Sequence, residues 1–191
     1  MSEQDATPAR HVSAHSTRQK AGRVLWGLVE ATAFRWSWPT WYRHRARLLR
    51  LFGADASPAC RVRRTVRITC PWNLTVAADA AVGEGARLYC LGKVVLRERS
   101  TVSQHAHLCA GSHDHTHPDL PLTREPIEIE ADAWVAADAF VGPGVTVGAW
   151  SILGARGCAF KDLEAGWIYG GNPACRIKRR EPAGSEAEPS T

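Results

Sequence analysis

The chain has no apolar run long enough to cross a bilayer. Its longest apolar stretch, Val24 to Trp41, is broken by Glu30, Arg35 and Pro39. None of its six cysteines (Cys60, Cys70, Cys90, Cys109, Cys158, Cys175) forms a CxxC pair, so the common dithiol and zinc-ribbon signatures are missing. A signal-peptide pattern is also missing, and free, mostly buried thiols in a reducing compartment are expected. Hydrophobic residues make up 45% and charged residues 23% of the chain, which argues against collagen, coiled coil and wholesale disorder. A length of 191 residues suits one domain.

The net charge of +5 is unevenly placed. Between residues 18 and 52, Arg18, Lys20, Arg23, Arg35, Arg43, Arg45, Arg47 and Arg50 face one acid, Glu30. The rest of the chain is close to neutral, so a nucleic-acid role loses its basis. Residues 1–20 and 181–191 are polar or Pro/Glu/Ser-rich and are expected to be disordered. Residues 21–55 read as a basic, Trp-rich helical cap in two pieces, separated by Ser37-Trp38-Pro39 and closed by Gly53.

An internal repeat governs the centre. Stepping by six from Ile129 lands on Val135, Val141, Val147 and Leu153, with Ala159 next. Val, Ile and Leu total 34 of 191 residues. Five consecutive hits would therefore arise by chance about 2 times in 10,000 per frame. Ala136, Gly142, Gly148 and Gly154 follow the aliphatic positions, as turns require. Val76, Val82 and Leu88 share one upstream phase, which Cys70 would extend; Leu96, Val102 and Leu108 share another, shifted by two. This period matches neither an α-helix nor hairpin alternation. It predicts a mainly β solenoid with three flat faces, one inward aliphatic per face, and about 18 residues per coil. The span 56–161 is assigned to this β-helix, with four to five coils in the window from about 62 to 160. The rhythm stops across 109–126, where Pro118, Pro121 and Pro126 forbid a continuing ladder and predict an extruded loop. Open solenoid ends need covers, and 162–180 is assigned to the second of them.

Five of the eight histidines (His105, His107, His113, His115, His117) fall at or inside this loop. An imidazole near neutral pKa can serve as a general base. Alternate spacing at His113, His115 and His117 can instead present three rings to a metal such as zinc.

The run GSHDHTHPD, the hexads from Pro126 to Leu163, and GGNPACRIKRR together resemble the hexapeptide-repeat O-acetyltransferases of the galactoside, maltose and Nod-factor type, above all the inferred colanic-acid (exopolysaccharide) acetyltransferases. The resemblance extends from about residue 24 to 180 and includes WYRHRARLLRLFGA and RITCPWNLTV. It implies a left-handed parallel β-helix, usually trimeric with sites between neighbouring solenoids, and a cytoplasmic enzyme. The implied chemistry is direct attack of a sugar hydroxyl on acetyl-CoA, with no metal. By position in the motif, His113 matches the base and the amide of Ala137 the oxyanion donor.

Ala155, Lys161, Arg176 and Lys178, with Arg179, match the CoA groove. Cys175 stands where many relatives have a basic residue. Tyr89, Asp114 and His115 are the acceptor-side candidates, and an Asn of the galactoside enzymes is missing near Tyr89 and Cys90. Two further readings remain: a γ-carbonic-anhydrase-like zinc enzyme with ligands drawn from His105, His107, His113 and His117, and a non-catalytic trimeric scaffold. Trp26, Trp36, Trp38 and Trp41, beside the Arg cluster, suit either packing on the first coil or contact with the inner face of a membrane through residues 22–52.

Overall fold

The six-residue rhythm closes into three parallel sheets. These are seen in a computed structural model, which describes residues 16–181. The first face stacks Asp55–Ala56, Leu74–Val76, Val94–Leu96, Ile127–Ile129 and Thr146–Val147. The second stacks Arg61–Val62, Ala81–Val82, Thr101–Val102, Trp134–Val135, Ile152–Leu153 and Trp167–Gly170. The third stacks Arg67–Ile68, Arg87–Tyr89, His107–Cys109, Phe140–Val141 and Cys158–Ala159. The inward residue of each rung is buried, from Val62 and Ile68 through Val135 and Val141 to Leu153 and Ala159.

The solenoid is longer than the four to five coils expected. The second face has six parallel rungs, because regular pairing begins at Asp55 and continues through Trp167–Gly170. The segment 162–180 is thus only partly a cover: Trp167–Gly170 is itself a rung, and Cys175–Arg179 pairs antiparallel against it.

The shift of two between repeat phases also has a physical cause. Cys70 is not the inward rung before Val76; that rung is Ile68, in register with Leu88. A short 3-10 turn at Pro71–Asn73 adds two residues at the corner between the third and first faces. The next coil makes a matching excursion, and the Asn73 side chain donates to the carbonyls of Cys90 and Leu91 at 3.0 and 2.9 Å, tying the two together. The large insertion leaves from the same corner. Cys109 still belongs to a rung, so the extruded part begins after it.

The regular corners place one residue in the left-handed region, including Asp79, Arg99, Asp132, Asp138, Trp150 and Arg156. Corners therefore tolerate large side chains at that position, unlike the small residues expected of a tight turn. Smallness one step after the aliphatic is a local need: a Cβ on Gly148 would lie 2.6 Å from the Ala165 nitrogen, whereas Arg63, Arg97 and Glu130 stand at that position on other rungs.

Ahead of the solenoid lie helix α1, Thr17–Val29, a π-turn at Glu30–Phe34, and helix α2, Tyr42–Leu51. Most of residues 1–20 and 181–191 fall outside the described residues. Residues 17–20 are helical, correcting the disorder expected for them, because Ser16 and Gln19 form a reciprocal capping box. Of the four front-end tryptophans only Trp26 packs inward; Trp36, Trp38 and Trp41 are exposed. The idea that they all pack on the first coil is therefore set aside.

The cap satisfies the open edge of the first coil. The Trp26 indole donates to the Ile68 carbonyl at 2.6 Å, and the Ile68 amide donates to Glu30 at 2.7 Å. Arg45 is fully buried, and burial holds its pKa below the ordinary guanidinium value. It donates to the Val62 carbonyl, the Ser37 hydroxyl and the carbonyls of Trp38 and Pro39 at 2.7, 2.7, 2.9 and 2.8 Å. Its guanidinium also lies 4.9 Å from the Tyr42 ring centroid. Arg45→Met keeps the bulk but leaves these acceptors without donors, and is expected to cost about 3 kcal/mol in chemical denaturation. Arg45→Lys should not restore it, since an ammonium lacks the planar fork. A near-wild-type midpoint for Arg45→Met would remove Arg45 as the pin of the cap.

Candidate active site

The extruded segment folds back on itself as a hairpin. Ser112–His113 pairs antiparallel with Leu122–Thr123, a local ladder that fits between the prolines at 118, 121 and 126. The Asp114 amide donates to the Pro121 carbonyl at 2.9 Å. The Asp114 carboxylate accepts from the Thr116 amide and hydroxyl at 2.9 and 2.6 Å. These bonds hold its pKa below the ordinary carboxylate value. Asp114 thus fastens the loop's own turn.

His113 lies at the exposed end of this hairpin, with Nδ1 2.5 Å from the Leu120 carbonyl oxygen. A carbonyl oxygen can only accept, so Nδ1 carries the proton of the neutral ring. Nε2 then keeps its lone pair, which is the state a general base requires.

The other histidines do not converge on it. His105 sits at a corner with φ of 58°, its ring beside Gly85. His107 is half-buried on the third face, edge-on to Phe140 at 5.5 Å. Burial, and then the neighbouring Arg87, lower its pKa from the ordinary imidazole value. His117 Nδ1 accepts from the Asp119 amide at 3.2 Å, and His115 is exposed. Among the described residues, no three His, Cys, Asp or Glu side chains are grouped to hold a metal ion. The zinc reading therefore has no ligand set within the described residues of one chain.

No protein-family model matches the chain. It is 45% identical over 156 residues to the inferred colanic acid biosynthesis acetyltransferase WcaF of Escherichia coli (strain K12), covering 82% of this chain and 86% of that protein. The chain belongs to the hexapeptide-repeat acetyltransferases. The fold agrees with two solved structures. A maltose O-acetyltransferase from Clostridium difficile 630 superimposes with a TM-score of 0.77 at 18% identity, covering 87% of this chain and 90% of that one. An acetyltransferase from Vibrio cholerae O1 biovar eltor, solved with acetyl coenzyme A, gives 0.74 at 16% identity, covering 90% and 94%.

Within this acetyltransferase chain the remaining candidates are spread over several places. Ala137 is half-buried in the turn between the second and third faces. Its neighbours' amides are engaged, Ala136 to the Leu153 carbonyl at 2.9 Å and Asp138 to that of Gln104 at 3.1 Å, whereas the Ala137 amide makes no hydrogen bond among the described residues. Ala155 is one coil on at the same edge, where the Arg156 amide donates to the Ala137 carbonyl at 2.9 Å. His113 leaves from a different edge, the corner between the third and first faces. One face of the prism separates the two within a chain.

Lys161 and Arg176 share a groove of about 340 Å³ at the last coil, lined also by Phe160, Tyr169 and Pro173. Arg176 is already engaged there: it pairs with Glu164, donates to the Tyr169 hydroxyl at 3.3 Å and lies 4.7 Å from the Trp167 ring centroid. Lys178 is outside this groove, exposed on the antiparallel strand opposite Ile168. Cys175 is exposed, its Sγ 3.6 Å from the Pro173 carbonyl. Ala155, Lys161, Arg176 and Lys178 therefore do not form one cluster in the single chain.

Tyr89 lines a second groove, of about 480 Å³, on the third face. Arg67, Arg87 and His107 line it too, and the first two went unread in the sequence. Their common spacing of 20 is the available signal, and the corner excursions hide it behind the hexads.

The tautomer is checked by long-range proton–nitrogen NMR at a pH where the ring is neutral. His113 should show Nδ1 protonated and Nε2 bare. The opposite tautomer would contradict the Leu120 contact.

Proposed function

We propose that the protein is an acetyl-CoA-dependent O-acetyltransferase acting on a sugar hydroxyl of an exopolysaccharide or its precursor. The observation that carries this reading is His113, with Nδ1 held by the Leu120 carbonyl and Nε2 open at the rim of the loop. A sugar hydroxyl is a poor nucleophile at neutral pH, and a base within reach together with an oxyanion donor lowers that barrier. Nε2 takes the hydroxyl proton as the oxygen attacks the thioester carbonyl carbon, giving a tetrahedral oxyanion. The Ala137 amide donates to that oxyanion. Collapse breaks the carbon–sulfur bond, the thiolate leaves with the proton from His113, and the acetyl ester and CoA thiol are the products.

Since His113 and Ala137 occupy different edges, we assign them to one site built from two neighbouring copies, in a closed trimer. Lys161 and Arg176 are the cationic partners for the phosphates of CoA, with Ala155 lining the edge beside Ala137 and Lys178 nearby on the outer strand. Tyr89 and His115 face the acceptor, with Asp114 shaping the loop that presents it. His113→Ala should fold, form the same oligomer and bind CoA as the wild type does, yet lose about 100-fold or more in the rate of acetyl transfer. Near-wild-type turnover would remove His113 as the base.

The same reading gives the enzyme a peripheral seat at the inner face of a membrane, where lipid-linked saccharide precursors are found. None of the described helices is long and apolar enough to cross a membrane. The cap instead exposes Val24, Leu28, Trp36, Trp38, Trp41 and Leu51, with Trp36 at 80%. The only acid of that segment, Glu30, is turned inward to Ile68 and Arg67. Apolar anchors framed by arginines suit an anionic headgroup layer. In flotation with phosphatidylglycerol-containing vesicles, the wild type should rise with the lipid and the Leu28→Ser/Trp36→Ser/Trp38→Ser variant should not. These exposed sites spare the Arg45 pin, and equal flotation of both proteins would exclude the membrane seat.

A further inference from the structure

The groove on the third face has an electrostatic feature that the proposed acetyl transfer does not use. Arg67, Arg87 and His107 are direct register partners on successive rungs, and Tyr89 and Cys109 are partners beside them. Neighbouring rungs are roughly 4.8 Å apart, so the row sets two arginines on adjacent rungs of one groove. Like charges directly opposite each other in a ladder are destabilising.

Three arginines elsewhere on the solenoid are paired across coils. Arg97 meets Glu128 at 2.5 Å, Arg99 meets Asp132 through two bonds of 2.7 and 2.6 Å, and Arg61 approaches Asp79 at 3.5 Å. The third face offers no such partners. None of its five strands carries an acid. Arg67 reaches Glu30 at 3.4 Å, but that carboxylate already accepts from the Ile68 amide at 2.7 Å. The Arg87 guanidinium has no hydrogen-bond or ion-pair partner among the described residues. His107 is held toward its neutral form by burial and by Arg87, so it joins the row as a hydrogen-bonding ring.

The groove lies next to the loop of the base. A Cβ on Gly111, two residues before His113, would lie 3.3 Å from Tyr89 Cε1, so the Tyr89 ring rests against the foot of that loop. Planar guanidinium forks match phosphate oxygens two at a time, and an aromatic ring beside them offers a face to a sugar.

We propose that Arg67 and Arg87 bind the phosphate groups of the acceptor, which makes the acceptor class a glycosyl pyrophosphate. This rests on the acetyl-transfer reading for the word acceptor, but the anion site can be measured without it. Two sources share the chemistry, a nucleoside-diphosphate sugar and a polyprenyl-pyrophosphate-linked sugar.

The test begins with calorimetric titration of inorganic pyrophosphate into the full chain saturated with CoA, so that phosphate sites for CoA are already filled. Binding should weaken about tenfold or more in Arg87→Ala and Arg67→Ala, and less in Arg87→Lys. Acetyl transfer is then compared for a methyl glycoside, UDP-glucose and a polyprenyl-pyrophosphate-linked glucose in detergent. Wild type should favour one of the two pyrophosphates over the neutral glycoside in kcat/KM, and which one identifies the source. Arg87→Ala should erase that preference. Pyrophosphate binding indifferent to both alanine variants overturns the proposal, as does an acceptor preference untouched by Arg87→Ala. A changed oligomeric state of Arg87→Ala in light scattering also overturns it, because the groove is then a contact between copies. Arginine-dependent pyrophosphate binding with no acetyl transfer to any acceptor overturns the assigned activity and leaves the anion site standing.

Discussion

Stacking in register is the constraint from which the rest of the structure follows. The rungs are mostly two or three residues long, too short to be stable as independent strands, and each meets its neighbours only through the coil above and the coil below. One aliphatic side chain per rung must therefore land on its counterpart, as Leu88 does on Ile68 and Leu108, and as Val135 does on Val102 and Leu153. The same geometry leaves unpaired polar groups at an end of the stack. That is why a buried arginine, an indole and a glutamate converge on Val62 and Ile68, and why the cap is joined to the first coil by hydrogen bonds as well as by apolar contact.

The period of the stack was legible because inward positions admit few residue types. Features outside the repeat were harder to read, each for a local reason. Two extra residues at one corner read as a change of phase, and Cys70 mimicked a rung because it too is buried. Trp150 and Arg156 occupy left-handed corner positions that a propensity argument reserves for glycine or asparagine, because the corner points outward and leaves room for a long side chain. In the sequence Arg45 is one more member of the basic run at 18–52. Its neighbours Arg43, Arg47 and Arg50 are exposed, and only the helical phase of α2 turns Arg45 toward the first coil.

The candidate site was legible in part. His113 was singled out by motif, while the contact that gives it chemical meaning is to a backbone carbonyl, and carbonyls leave no trace in a sequence. The four CoA candidates form a compact set on paper and occupy three places in the chain, because residues close in sequence at the end of a solenoid diverge onto a turn, a groove and an antiparallel strand. Arg67 and Arg87 are 20 residues apart and adjacent in space, a relation visible only once the length of that particular coil is known.

All the irregularity on the early coils is gathered at one corner, where the turn at Pro71–Asn73, its partner one coil on, and the hairpin of His113 leave the prism in succession. Such a corner acts as a seam. Chain has been added along it without moving a single inward residue out of register. The protein thus keeps its irregular surface and its regular frame on separate lines.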